Sequence, residues 1–183
     1  MRLKRGKLAT DPVAFEAFYR RHVDAVTRFL SRRVDDPHTV ADLTADVFLA
    51  VLDSAHTYRP GRGSEIAWLY GVARNTLSSE RRRALRESQL THRVSGRRPL
   101  DGDDVSRLEE RIDAERPARA AFEAMTGLPD GERAVLELVV LEQLTPSEAA
   151  AALGIRPGTA MVRLHRARKA LRHLPFVMEG IPR

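Results

Sequence analysis

Apolar residues recur at three- and four-residue spacing from Asp11 to about Arg86, beginning with Phe15, Phe18, Tyr19, Val23, Val26, Phe29 and Leu30. This is the pattern of helices that bury one face. Asp11-Pro12 reads as a cap followed by a first-turn proline. Asp35-Asp36-Pro37 closes the first helix, because proline lacks the amide a helix needs and disfavours helical geometry in the residue before it. A second helix carries Val40, Leu43, Val47, Phe48, Val51 and Leu52 on one side. Tyr58 to Ser64, with Pro60, Gly61 and Gly63, reads as a loop, and a third helix runs from Glu65 to about Leu85, ending in Arg81-Arg82-Arg83.

The pattern thins between about Ser88 and Arg116, where Ser95-Gly96-Arg97-Arg98-Pro99 has linker composition. Its charge is split: Glu80 to Arg98 holds seven Arg against two Glu, whereas Asp101 to Glu115 holds seven acids against Arg107 and Arg111. Such blocks suit a flexible segment meeting two surfaces, or equally a solvated linker containing a short helix. Helical patterning returns after Pro117, in Ala118 to Met125 and then in Gly131 to Leu141. Thr145-Pro146-Ser147-Glu148 opens a short helix ending at Leu153-Gly154, and another helix starts at Pro157 and runs to about Arg172. Two helices joined by a three-residue turn form a helix-turn-helix, spanning Glu132 to Leu174. The expected fold is all-α: two small helical domains, 11–88 and 117–175, joined by a flexible linker at 89–116, with a loose N-terminus at 1–10 and a tail at 176–183.

On the last helix, Ala160, Leu164, Ala167 and Leu171 form one narrow stripe at 100° per residue, so that side packs inward. Val162, His165, Arg166 and Lys169 then face outward, with Met161 and Arg163 on the flanks. A recognition helix presents its N-terminal residues to base edges, which makes Met161, Val162, His165 and Arg166 base-contact candidates. Arg156, Thr159, Arg168 and Lys169 are better placed for phosphates. Arg156 to His173 holds six Lys and Arg residues and no acid, where a merely solvated helix mixes signs. The totals agree. Lys and Arg outnumber Asp and Glu by 31 to 25, a net charge of +6, which favours a polyanionic partner.

Other chemistries find little support. The chain has no cysteine, so disulfides, thiolate metal sites and cysteine nucleophiles are excluded. The six histidines show no metal-ligand spacing, and no cofactor, metal or acid/base constellation is expected. Gly61-Arg62-Gly63 lacks the Gly-Lys-Ser/Thr of a phosphate loop. No run approaches the roughly 20 apolar residues of a membrane span, and the charged start at Met1 to Arg5 is followed by acids rather than an apolar core, so a cytoplasmic protein without membrane insertion is expected.

Gly158-Thr159-Ala160-Met161-Val162-Arg163-Leu164-His165-Arg166-Ala167-Arg168 resembles the recognition helix of bacterial extracytoplasmic-function sigma factors, and Leu128 to Leu136 is similar to the opening of the same domain. The N-terminal half matches independently. Ala41-Asp42-Leu43-Thr44-Ala45-Asp46-Val47-Phe48-Leu49 resembles the family's polymerase-binding helix; Ala67 to Asn75 with Arg82-Arg83 resembles the helix that engages the minus-ten element. The resemblance implies a non-enzymatic factor whose partners are RNA polymerase core, promoter DNA and an anti-sigma protein. It assigns polymerase binding to Asp42, Asp46 and Phe48. Minus-ten contacts fall to Tyr58, Arg59, Ser64, Trp68, Arg74, Asn75, Arg82 and Arg83, and upstream-element contacts to the last helix. Extruded bases need stacking surfaces and cationic grooves, which these residue types supply. On pattern alone Trp68 and Tyr70 fit a core more readily than a stacking role. Four positions depart from the family: Ala45 stands where glutamine is usual, Ser79 where aspartate is usual, and Met161-Val162 replace a commoner Lys-Ser or Arg-Ser pair. Apolar side chains there favour thymine methyls over guanine edges. The alternative is a free-standing helix-turn-helix repressor or activator.

Overall fold

The computed structural model describes residues 7–61, 63–88 and 101–171. The elements run α1 (Lys7–Thr10), α2 (Pro12–Ser31), α3 (Pro37–Ser54), a 3₁₀ turn (Ala55–Thr57), α4 (Glu65–Ser88), α5 (Gly102–Ala114), α6 (Arg116–Ala124), α7 (Asp130–Val140), α8 (Pro146–Ala152) and α9 (Pro157–Ala170). No strand occurs among the described residues. Two compact units emerge: Arg2–Thr57 with Val72–Glu115, and Tyr58–Gly71 with Arg116–Arg183.

In the first unit, α2 begins where expected. Asp11 takes extended geometry and its carboxylate accepts the amides of Val13 and Ala14 at 3.1 and 3.2 Å, satisfying donors that the helix cannot pair internally. Asp36 does the same for α3 through the Thr39 amide at 3.0 Å. The two helices pack through Phe18, Val26, Phe29 and Leu30 against Val40, Leu43, Val47 and Val51, all buried.

Two expectations are corrected here. Residues 7–10 belong to the fold, because Leu8 on α1 is 2% exposed and buries an apolar side chain. The acidic half of the expected linker is also ordered. It forms α5 and is tied to α2 by Arg32–Glu115 at 2.6 Å, largely shielded from water, and by Arg111–Asp24 at 2.5 Å. Residues 89–100, and the expected tail with Arg172 to Leu174, lie outside the described residues.

The second unit contains the helix-turn-helix. Ala134, Val135, Leu136, Leu138 and Val139 of α7, Ala149 and Ala150 of α8, and Ala160, Leu164 and Ala167 of α9 form its core. The turn after α8 requires glycine. Gly154 has φ +65°, while Ile155 N–H donates to Ala150 C=O at 3.0 Å and Gly154 N–H to Ala151 C=O at 3.3 Å, the paired bonds that end a helix through a left-handed residue. Tyr58–Gly71 joins this unit at glycines. A Cβ on Gly71 would lie 2.6 Å from the Ala152 carbonyl oxygen, and one on Gly63 3.1 Å from Ala151 Cβ.

A capping box opens α8. Glu148 N–H donates to Thr145 Oγ1 at 3.2 Å, and the Glu148 carboxylate accepts the Thr145 amide at 3.0 Å and hydroxyl at 2.8 Å. Burial alone would raise this carboxyl, but hydrogen bonds from Ser64 and Thr145 together outweigh it and hold the group below its ordinary value. Its stabilising contribution is therefore present above the ordinary carboxyl value of 4.5 and is lost as pH falls through the depressed value in the fold. Thr145→Ala should cost about 1 kcal/mol, and Glu148→Gln should flatten the acid limb of a melting-temperature profile. Superimposable acid limbs for wild type and Glu148→Gln would show that the box contributes nothing.

Candidate nucleic-acid interface

Helix α9 starts at Pro157, whose missing amide costs nothing in a first turn. Its inner stripe is buried throughout: Ala160 and Ala167 at 0%, Leu164 at 4% and Leu171 at 7% exposure. Opposite it, Met161 and Val162 are 63% and 53% exposed, an unusual position for two apolar side chains, and His165, Arg166 and Lys169 share that open face. Arg156 and Thr159 are exposed at the helix start. The two remaining cations differ. Arg163 is half-buried, with its guanidinium against Gly131 on α7. Arg168 is half-buried too, and desolvation holds its guanidinium below the ordinary arginine value. The face thus combines an apolar patch, an imidazole and two open cations, which can meet both base edges and phosphates.

The expected minus-ten residues divide between exposed and occupied groups. Tyr58 is 6% exposed, its ring 5.4 Å from the half-buried Trp68 ring at 52°. The Tyr58 ring, expected among the minus-ten contacts, is thus taken up by packing in this fold. Ser64 likewise has structural work, accepting the Ala67 amide at 3.4 Å and bonding the Glu148 carboxyl. Arg59 is exposed. Further along α4, Arg74 is half-buried and Asn75 exposed; Arg82 donates to Ser79 Oγ at 2.9 Å, and Arg83 pairs with Glu80 at 3.0 Å.

On α3, Asp42 and Asp46 are exposed, whereas Phe48, expected on the docking face, is 3% exposed and forms part of the core. It packs against Phe15, Phe18 and Tyr19. The stripe that does face outward is Asp42, Asp46, Leu49 and Asp53, with Leu49 60% exposed at its centre. Leu49 and Asp53 were missed by sequence reasoning, although their spacing from Asp42 places them on one helical face. Asp46, Leu49 and Asp53 line a groove of about 630 Å³ with Asn75, Ser79, Glu80 and Arg83 of α4. Asp46 sits above the ordinary carboxyl value because of partial desolvation, then the charges of Glu80 and Asp42, with Arg83 opposing. Ala45, the departure from glutamine, lines a separate groove of about 640 Å³ under α5.

Residues 18–87 match the family model for Sigma-70 region 2, and residues 118–171 the model for Sigma-70, region 4. ShbA, an ECF RNA polymerase sigma factor of Streptomyces griseus, is 34% identical over 141 residues, covering 76% of this chain and 73% of ShbA. CarQ of Myxococcus xanthus, an RNA polymerase sigma factor, is 31% identical over 163 residues, 88% of each chain. The chain belongs to the ECF sigma factors. SigE of Mycolicibacterium smegmatis is 30% identical over 162 residues, 87% of this chain but 60% of that relative. CnrH, solved in complex with the cytosolic domain of CnrY, shares the fold with a TM-score of 0.57 at 23% identity, covering 93% of this chain and 96% of CnrH. As a sigma factor the protein directs RNA polymerase core to promoter DNA and initiates transcription. A free-standing helix-turn-helix regulator has no use for the region 2 segment, which removes that alternative. No helix among the described residues is long and apolar enough to cross a membrane.

Proposed function

We propose that this sigma factor divides promoter reading between α9, for the upstream element, and α4 with its preceding loop, for the minus-ten region, while the Asp42–Asp46 face of α3 holds polymerase core. The observation carrying the first assignment is the outward face of α9, where Met161, Val162, His165, Arg166 and Lys169 stand clear of the core. In the minus-ten region the exposed Arg59, Asn75, Arg82 and Arg83 supply cationic and polar contacts, Trp68 and Arg74 supply part of a surface, and Tyr58 and Ser64 hold the loop in shape. The factor acts in the cytoplasm without catalysis of its own. It comes under control of an anti-sigma protein that covers its polymerase-binding face, a reading supported by the capture of CnrH with another protein's cytosolic domain.

The primary experiment is run-off transcription by polymerase core with and without the purified chain. Specific transcripts with the chain and none without it are expected; failure to bind core stably would end the reading. On α9, Arg166→Ala should cost roughly 1 to 3 kcal/mol and relax base preference at one upstream position. Lys169→Ala should weaken binding evenly across upstream sequences. A uniform loss from Arg166→Ala, measured on a panel of upstream-element variants, would remove it from the base-reading set.

A further inference from the structure

Gly131, in the first turn of α7, and Arg163, on the flank of α9, meet at one point. A Cβ on Gly131 would stand 2.9 Å from Arg163 Cζ and 3.1 Å from both Nε and Nη1. The near-equal distances place the guanidinium face-on over the bare glycine, a position that any side chain at residue 131 would take. The guanidinium has no carboxylate partner among the described residues. Its neighbour on α7 shows the contrast: Arg133 is paired with Asp130 at 2.6 Å and Glu137 at 3.5 Å. Of the two arginines beside the first turn of α7, Arg133 on that helix is neutralised by its carboxylates, and Arg163, reaching over from α9, is seated without a carboxylate among the described residues.

Arg163 also has a definite direction. Three residues along a helix turn by 300°, so Arg163 lies about 60° from Arg166 around α9, beside the outward face rather than on it. A cation in that position meets the sugar-phosphate backbone at the groove wall, not the base edges in the groove floor. Free arginine side chains lose rotamer freedom on binding, and a guanidinium already seated against a surface loses less.

We propose that Gly131 is a positioning residue for DNA binding: it leaves a bare seat that pre-orders Arg163 as a backbone contact and keeps it out of base reading. The proposal rests on the assignment of α9 to the upstream element. It also gives a reason for glycine within a helical turn, where alanine would otherwise be favoured.

The test uses holoenzyme reconstituted from polymerase core and full-length chain, binding promoter duplexes over a salt series. Arg163→Ala should weaken binding roughly three- to tenfold for every upstream sequence, and make the slope of log affinity against log salt shallower by about 0.9. Gly131→Ala should show the same uniform loss, with a melting temperature no lower than wild type. The double variant should bind no more weakly than Arg163→Ala alone, because both changes remove one contact. Additive losses, wild-type binding by Gly131→Ala, or a change of base preference in Arg163→Ala would each overturn the proposal while wild-type dependence on the upstream element persists. A wild-type holoenzyme indifferent to that element would overturn the assignment of α9, and the proposal with it.

Discussion

Phe48→Ala is expected to destabilise the unit built on α2 and α3 by about 3–5 kcal/mol, the range for removing a fully buried aromatic side chain. The ring is 3% exposed and lies 6.4 Å from Phe15 at 83°, 6.2 Å from Phe18 at 77° and 4.7 Å from Tyr19 at 60°. Each geometry is edge-on or tilted, where the positive edge of one ring meets the negative face of another, so the loss exceeds that of buried area alone. Against a domain stability near the lower end of roughly 5–15 kcal/mol, such a loss produces a substantial unfolded population. Urea unfolding followed by tryptophan-independent circular dichroism would measure it. A loss below about 1 kcal/mol, accompanied by failure to bind polymerase, would return Phe48 to the docking set.

The burial of Phe48 shows where sequence reading has its limit. Helix α9 was legible because its inner stripe is set by local periodicity, and all four expected residues are buried. Phe48 shares a helix with Asp42 and Asp46, and a motif match carries residue names without saying which way each side chain points. The fold around α5 was hidden for another reason. Arg32–Glu115 and Arg111–Asp24 join residues 83 and 87 positions apart, and no local pattern announces an ion pair between distant segments. The same holds for Ser64 with Glu148 and for Gly131 with Arg163, whose roles exist only once their helices meet. Capping signals fared better, since Asp11 and Thr145 act on amides within three residues of themselves, and Asp36, read only as part of a helix break, acts in the same way.

The double substitution Asp42→Arg with Asp46→Arg is expected to lower affinity for polymerase core by roughly 10²- to 10³-fold, because like charges placed opposite a cationic partner cost several kcal/mol. The electrostatics of α3 argue for such a partner. Asp46 is held above its ordinary value by desolvation and by the charges of Glu80 and Asp42, so the ionised cluster repels itself in the free protein. A cation arriving at this face relieves that repulsion, while the exposed Leu49 offers an apolar contact at its centre. The sign of the shift also separates binding from folding. A carboxyl raised in the fold contributes stability that is fully present below its ordinary value of 3.8 and is lost as pH rises through the raised value. At neutral pH Asp46 therefore adds nothing to stability, and Asp46→Asn should leave the melting temperature unchanged or slightly higher while weakening core binding. Core affinity measured by fluorescence anisotropy for both variants decides the matter: wild-type affinity in the double variant would place the docking surface elsewhere on the chain, and a lowered melting temperature in Asp46→Asn would show that Asp46 serves the fold rather than a partner.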